Sequence, residues 1–131
     1  TSRGGVRAVD TNVLVRLLTR DDAKQVAAAE AFVERGAWVS HLVLAEATWV
    51  LSSVYDRAPA DIAAAVEMLL NHQHLTVEAP DAVAQAVRHF TDRPALGFSD
   101  CLVLAIARKA GHLPLGTFDR TLARLDGTAR L

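Results

Sequence analysis

The sequence predicts a three-layer α/β/α domain with a central parallel sheet of four to five strands. Short apolar runs that suit buried strands alternate with longer stretches in which apolar residues recur at helical spacing. Strands that alternate with helices usually form parallel sheets, because right-handed crossovers place the helices on both faces. The chain has 131 residues, of which 51% are hydrophobic and 22% are charged, and this is typical of one compact domain.

The first predicted strand and helix meet at a single carboxylate. Residues 6–9 suit a buried strand, and the apolar positions in residues 13–18 repeat like one face of a helix. Asp10 lies between them, where an aspartate side chain can cap a helix. In an open α/β sheet, the carboxyl end of a strand is also where ligands bind. Asp10 is therefore predicted either to cap a helix only or to contribute to a binding site as well.

The same alternation continues to the end of the chain. Apolar residues at helical spacing predict further helices over residues 23–35, 42–55, 60–71, 82–90, 98–111 and 120–125. Strands are predicted over residues 37–40, 75–78 and 113–118, and residues 128–131 are expected either to form a short edge strand or to fray. Gly36 and Gly111 each follow a predicted helix, a position that favours glycine.

Glu46 is an acid in an apolar context. It lies in the predicted helix over residues 42–55 and shares a helix face with Leu42, Trp49 and Val50. An ionised carboxylate among buried apolar groups is costly unless it is paired or binds a metal. We therefore interpret Glu46 as a candidate ligand; the alternative is that it reaches solvent, or an arginine, at the edge of the face.

Two further acids lie at junctions between elements. Asp100 is in the first turn of the predicted helix over residues 98–111, after Ser99, which is the expected helix cap. Asp119 follows the predicted strand over residues 113–118.

If the junctions face one edge of the sheet, four acids converge on one pocket: Asp10, Glu46, Asp100 and Asp119. Because close carboxylates repel one another, such a cluster is stable mainly around a cation. Oxygen ligands favour Mg²⁺ or Mn²⁺, and these are ions that enzymes use to hydrolyse phosphodiester bonds.

The bulk composition limits other functions. No apolar stretch approaches the ~20 residues that span a bilayer, and no secretion signal is recognisable. The single cysteine, Cys101, is expected to be a buried hydrophobe, and its isolation favours a reducing, cytoplasmic setting. The net charge of -1 does not by itself indicate a nucleic-acid binder. Residues 1–5 are expected to be a disordered, processed or added start, which leaves residues 6–131 as one domain.

The sequence resembles the PIN-domain ribonucleases, and among them the VapC toxins of bacterial toxin–antitoxin pairs. Four blocks in the family's order and spacing carry the resemblance: VDTNVLVR (9–16), LAEATWVL (44–51), FSDCLVLAIA (98–107) and GTFDR (116–120). The resemblance implies a compact PIN-like domain that usually forms a homodimer. It also implies a Mg²⁺- or Mn²⁺-dependent endoribonuclease that a cognate antitoxin neutralises.

The family's site residues transfer to matching positions of this sequence. The resemblance assigns the catalytic and metal-binding roles to Asp10, Glu46, Asp100 and Asp119. It assigns roles in orienting those carboxylates or waters to Thr11, Asn12, Ser99 and Thr117. Water would be the nucleophile, so the RNA products would carry a 5′-phosphate and a 3′-hydroxyl.

Three arginines near the acid-bearing junctions are hypothetical contacts to the RNA backbone: Arg16, Arg20 and Arg120. They could equally be solvated or pair with neighbouring aspartates. The helices that carry Trp49 and Tyr55 offer apolar surface to the antitoxin or to a second subunit, but core packing explains those residues as well.

Other functions stay open on the sequence alone. One is a PIN nuclease that is not a toxin and serves RNA processing or DNA repair, and another is a catalytically inactive PIN-fold binding module. A phosphatase with its first aspartate at the end of a strand is less favoured. Such an enzyme usually carries a second aspartate two residues later, and that position is Asn12 here.

Overall fold

The computed structural model of the protein describes residues 6–131, so the expected start at residues 1–5 lies outside the described residues. The described chain contains five short strands: β1 (Arg7–Ala8), β2 (Ala37–Val39), β3 (Leu75–Val77), β4 (Leu115–Thr117) and β5 (Thr128–Arg130). Its α-helices are α1 (Thr11–Thr19), α2 (Ala23–Val33), α3 (His41–Ser53), α4 (Pro59–Leu70), α5 (Pro80–Asp92) and α6 (Phe98–Ala110). The α/β fold class is therefore confirmed.

The five strands form two parallel ladders where the sequence predicted one central sheet. In the first ladder the order is β1-β2-β3, with Ala37 of β2 opposite both Arg7 and Leu75. In the second, β4 pairs with β5, and Leu115 lies opposite Thr128. Among residues 6–131, neither β4 nor β5 is hydrogen-bonded to a strand of the first ladder.

The last predicted helix, over residues 120–125, is wrong in type. The chain instead forms a single 3₁₀ turn at Leu122–Arg124. The Asp119 carboxylate explains the difference, because its Oδ1 accepts hydrogen bonds from the backbone N–H groups of Thr121 and Leu122 at 2.8 and 3.0 Å. A local turn held by an aspartate side chain competes with a regular helix.

Helices α5 and α6 form an antiparallel pair that fixes the start of α6. At one end, Lys109 Nζ lies 2.7 Å from Asp81 Oδ2. At the other, the rings of Phe90 and Phe98 meet edge to face with their centroids 6.0 Å apart. The first turn of α6 is therefore anchored through Phe98 in the core.

The core lies between the helices and the strands and draws side chains from every layer. Fully buried side chains include Leu14, Val39, Leu44, Val66, Leu69, Val83, Cys101 and Leu104. Burying one such aliphatic side chain stabilises the fold by about 1.5–3 kcal/mol. Cys101 is buried as predicted. In residues 6–131, no helix combines the length and the apolar character that crossing a membrane requires.

Candidate active site

Asp10 directly follows β1 and caps α1. Its Oδ1 accepts a hydrogen bond from the backbone N–H of Val13 at 3.0 Å, and its own backbone is extended, as expected for a cap. The cap engages one carboxylate oxygen and leaves Oδ2 for another ligand. Capping and ligand binding, the two readings of Asp10, are therefore compatible.

The burial predicted for the face around Glu46 is wrong. Helix α3 buries the opposite stripe, which includes Leu44, Ala47 and Leu51, whereas Leu42 and Trp49 are 70% and 64% exposed. Glu46 is itself exposed, so desolvation is not the reason to regard it as a ligand. The sequence could not reveal this, because both faces of α3 carry large apolar residues.

Thr11 links Glu46 to the neighbourhood of Asp10. The Thr11 hydroxyl donates a hydrogen bond to Glu46 Oε1 at 2.7 Å. Thr11 is the first residue of α1 and adjoins Asp10, so this bond brings α3 close to the carboxyl end of β1. It is the contact that an orienting role for Thr11 requires.

Asp100 lies in the first turn of α6 and is partly buried. The helix cap is Gly97, not Ser99 as the sequence suggested, and no side chain caps this helix. Gly97 has φ 78°, a left-handed conformation that glycine adopts without strain, so the helix starts two residues earlier than a cap at Ser99 would require. Ser99 is exposed within the first turn, and it lines the same groove as Asp100.

Asp100 and Asp119 interact electrostatically. Burial raises the pKa of the Asp100 carboxyl, and the negative charge of Asp119 raises it further. Asp119 is held in place after β4 by its own turn and by Thr117, whose Oγ1 accepts a hydrogen bond from the Asp119 backbone N–H at 3.0 Å. A cation between these two carboxylates would favour their ionised forms.

The structure thus arranges the acids as two pairs, Asp10 with Glu46 through Thr11, and Asp100 with Asp119. Within residues 6–131, no three histidine, cysteine, aspartate or glutamate side chains lie close enough together to hold one metal ion. The predicted convergence of all four acids is therefore not seen in these side-chain positions. Local hydrogen bonds explain this, since a cap, a hydroxyl and a turn each hold one carboxylate separately.

The donor chemistry nevertheless suits a hard divalent cation. All four candidate ligands supply carboxylate oxygens, which Mg²⁺ and Mn²⁺ prefer. The single thiol, Cys101, is fully buried, and burial raises its pKa to about 11, so it is not a competing soft ligand. Burial is the main cause of the raised pKa of Asp100 and the charge of Asp119 adds to it, so a cation nearby would offset both effects.

Arg16 and Arg20 pair with other side chains, which is the alternative that the sequence left open. Arg16 Nη1 donates to Asp21 Oδ1 and to the Tyr55 hydroxyl, both at 2.9 Å. The hydrogen bond with Tyr55 is the main reason that the pKa of Arg16 is raised. Arg20 Nη1 lies 3.0 Å from Glu30 Oε2 in an exposed pair. Binding of RNA by either arginine stays a prediction.

The remaining predicted residues are exposed. Asn12 lines a groove of about 470 Å³ between α1 and α2, together with Asp10 and Arg16. Arg120 directly follows Asp119 and is solvent-exposed.

Two arginines not singled out in the sequence line a groove together with Asp92 and Asp126. Arg93 and Arg124 line a groove of about 330 Å³ with His89, and neither forms an ion pair among residues 6–131. Arg93 precedes the helix of Asp100, and Arg124 lies in the 3₁₀ turn after Asp119. Proximity in sequence to two candidate acids was the signal that could have identified them.

Comparison with known families identifies the family to which the fold belongs. The model of the PIN domain family matches residues 7–128, which include all four acids and nearly the whole described fold. Comparisons with curated proteins and with solved structures gave no match. PIN domains are generally nucleases. Since the match spans far more than half of the sequence, the chain belongs to the PIN domain family.

Proposed function

We propose that the protein is a Mg²⁺- or Mn²⁺-dependent endoribonuclease that hydrolyses RNA phosphodiester bonds. The observation that carries the proposal is the family match across all four acids, two of which, Asp100 and Asp119, interact electrostatically. The proposed catalytic and metal-binding residues are Asp10, Glu46, Asp100 and Asp119. The carboxylate oxygens of these residues are the ligands that a hard divalent cation prefers, and this supports a metal site there.

Each carboxylate has a separate task in this proposal. Asp100 and Asp119 would hold the cation, and Asp10 would contribute the oxygen that its helix cap leaves free. Glu46 completes the site, oriented by the hydroxyl of Thr11. When bound, the cation activates a water and stabilises charge on the phosphoryl group. Because water attacks, the RNA 2′-hydroxyl is not needed, and the products carry 5′-phosphate and 3′-hydroxyl ends.

Exposed arginines would hold the RNA backbone. Arg120, Arg93 and Arg124 are exposed and form no ion pair among residues 6–131, so they bind phosphate without breaking an internal contact. Binding through such contacts weakens as salt rises. Replacing all three should therefore reduce both the RNA affinity and its dependence on salt.

The test is cleavage of total RNA with Mg²⁺ by the wild type and by Asp100→Asn. Losing a ligand of the catalytic cation should lower the rate by about 100-fold or more. Asp61→Asn is the matched control, since Asp61 is also an acid in the first turn of a helix, α4, and is exposed. Equal activity of the wild type and Asp100→Asn, or products with 2′,3′-cyclic phosphates, would contradict the proposal.

We further infer that the nuclease is a cytoplasmic VapC-type toxin that forms a homodimer and is blocked by a cognate antitoxin. The resemblance of the four sequence blocks supports this, as does the exposed apolar surface of α3, on which Leu42 and Trp49 flank Glu46. An antitoxin arginine could take the place of the cation among the acids. Expression of this protein in bacteria should arrest their growth. Co-expression of a small gene that lies immediately upstream of the gene for this protein should relieve the arrest.

A binding module that has the PIN fold but no activity is the second candidate. It is favoured by the absence, within residues 6–131, of three acids close enough to share one ion. The two candidates differ in one measurement. RNA binding without Mg²⁺-dependent cleavage would identify the binding module.

A further inference from the structure

The hydroxyl of Tyr55 joins the two helices that carry Asp10 and Glu46. Tyr55 follows α3 and is partly buried, with its ring packed against the core. Its hydroxyl donates a hydrogen bond to Asp21 Oδ2 at 2.8 Å and accepts one from Arg16 Nη1 at 2.9 Å. Arg16 is in the last turn of α1, and Asp21 lies between α1 and α2. The hydroxyl therefore connects the end of α3 with the end of α1.

Arg16 and Asp21 extend this connection to other side chains. Arg16 Nε donates to Gln25 Oε1 of α2 at 2.6 Å, and Arg16 Nη1 also donates to Asp21 Oδ1 at 2.9 Å. Asp21 Oδ1 further accepts from the Thr19 hydroxyl at 2.9 Å. The hydrogen bond from Tyr55 is the main reason that the pKa of the Asp21 carboxyl is lowered. We call these side chains the Tyr55 cluster: Arg16, Thr19, Asp21, Gln25 and Tyr55.

The Tyr55 cluster gives α1 and α3 a second point of attachment. The first point is the bond from the Thr11 hydroxyl to Glu46 Oε1, near the start of α1. The second, between Arg16 and Tyr55, lies later along both helices. A helix attached to its neighbour by one polar contact can tilt or turn about that contact, whereas two contacts in the same order along both helices restrict these movements.

The cluster contributes less to stability than its size suggests. The side chain of Asp21 is 44% exposed, and ion pairs near the surface contribute little to the free energy of folding. Asp56, directly after Tyr55, has a left-handed backbone with φ 54°, which costs free energy in a residue other than glycine. Ordered polar side chains beside a strained turn point to a role in geometry more than in stability.

We propose that Tyr55 is a positioning residue, whose hydroxyl holds the end of α3 to α1 and thereby keeps Glu46 beside Asp10. This rests on the proposed nuclease function, in which both carboxylates serve the site. Glu46 is exposed, so its bond to Thr11 competes with water and does not by itself fix α3. Precise placement matters because a displacement of about 1 Å in a catalytic group lowers a rate by about 100-fold.

The alternative for this cluster is that Arg16 is held in reserve for the RNA backbone. The two roles predict opposite effects of Asp21→Ala. If Asp21 only occupied the guanidinium of Arg16, its removal would release a cation for phosphate and strengthen RNA binding. If the cluster positions Glu46, removing the acceptor of the Tyr55 hydroxyl should instead slow cleavage.

The first measurement needs neither metal nor RNA. The carboxyl ¹³C resonance of Glu46 reports its hydrogen bond with Thr11, and Thr11→Val gives the resonance without that bond. Tyr55→Phe keeps the ring and removes the hydroxyl, so the resonance should move toward its position in Thr11→Val. Ser53→Ala is the matched control and should leave the resonance unchanged. It removes an exposed hydroxyl at the same end of α3 that bonds within the helix, to the Trp49 carbonyl at 2.7 Å.

The second measurement is Mg²⁺-dependent cleavage of an RNA oligonucleotide. Tyr55→Phe and Asp21→Ala should each lower kcat by about 10-fold, as expected when a group that orients a metal ligand is lost, with little change in KM. Ser53→Ala should cleave like the wild type. Tyr55→Phe combined with Thr11→Val should be no slower than Thr11→Val alone, because both changes act on the same carboxylate.

The outcomes separate this inference from the proposed function. An unmoved Glu46 resonance in Tyr55→Phe overturns the inference. So does unchanged cleavage by Tyr55→Phe in an active protein, a double variant whose loss is the product of the separate losses, or tighter RNA binding with faster cleavage by Asp21→Ala. If the resonance moves as expected but the wild type does not cleave RNA with Mg²⁺, the nuclease proposal is wrong and the positioning of Glu46 by Tyr55 stands.

Discussion

Replacing Thr11 by valine tests the bond that connects the two candidate acids on α1 and α3. Valine keeps the branched shape of threonine and removes the hydroxyl that donates to Glu46 Oε1 at 2.7 Å. Glu46 would then lose the contact that fixes its orientation beside Asp10. The change therefore acts on the site without touching any of the four acids.

The expected size of the effect follows from the environment of the bond. A hydrogen bond to a charged group contributes about 1.5–3 kcal/mol. Because Glu46 is exposed and Thr11 is half-buried, we expect a smaller value, about 1 kcal/mol in the free energy of unfolding, as for an ordinary intramolecular hydrogen bond. Loss of a group that orients a metal ligand typically lowers activity by about 10- to 100-fold. The activity should therefore fall much more than the stability.

The assay compares Thr11→Val with Thr11→Ser, which keeps the hydroxyl. Urea denaturation gives the free energy of unfolding, and Mg²⁺-dependent cleavage of an RNA oligonucleotide gives kcat/KM. Thr11→Ser should remain within a few-fold of the wild type in kcat/KM. If Thr11→Val cleaves as fast as the wild type while Asp100→Asn is inactive, the bond to Glu46 has no part in the site and the reasoning is refuted.

Three further predictions concern the folded protein itself. Burial and the charge of Asp119 raise the pKa of Asp100 above its ordinary value of 3.8, so the native state binds this proton more tightly than the unfolded state. Stability should fall as pH rises from that ordinary value through the raised one, and urea denaturation across this range should show no such fall in Asp100→Asn. Cys101, with a thiol pKa of about 11, should not react with a thiol reagent at mildly alkaline pH until the protein is denatured, and fast labelling of the native protein would contradict its burial. Asp56, which follows α3, has a left-handed backbone with φ 54°. Asp56→Gly should relieve this strain and stabilise the fold by about 0.5–1 kcal/mol. A lower denaturation midpoint in the variant would show that the aspartate itself is stabilising.

The sequence predicted the alternation of elements well because the signals were local. Apolar periodicity identified α1 to α6, and an aspartate after the first strand identified a true helix cap at Asp10. The start of α6 was misjudged because Ser99 is a common type of cap, whereas the structure uses Gly97 in a left-handed conformation. A preference for one residue type cannot reveal which backbone turn the chain adopts.

Predictions that depended on tertiary packing were less accurate. Helix α3 is apolar on two faces, and only packing decides that Leu44 is buried while Trp49 is exposed. The sequence left open that Arg16 pairs with a neighbouring aspartate, and it does so with Asp21, but its hydrogen bond with Tyr55, 39 residues away, could not be predicted from neighbouring positions. For the same reason, the link between Thr11 and Glu46, which are 35 residues apart, was not predicted.

The two roles of Asp10 can be separated by two substitutions at this one position. Asp10 Oδ1 receives the Val13 N–H and caps α1, whereas Oδ2 and the negative charge are what a cation would use. Asparagine caps helices about as well as aspartate, so Asp10→Asn should keep the free energy of unfolding close to that of the wild type and lose cleavage. Alanine removes the cap too, so Asp10→Ala should lose cleavage and also about 1 kcal/mol of stability. Equal stability of the two variants would mean that the cap contributes nothing, and activity in Asp10→Asn would mean that the charge is not needed.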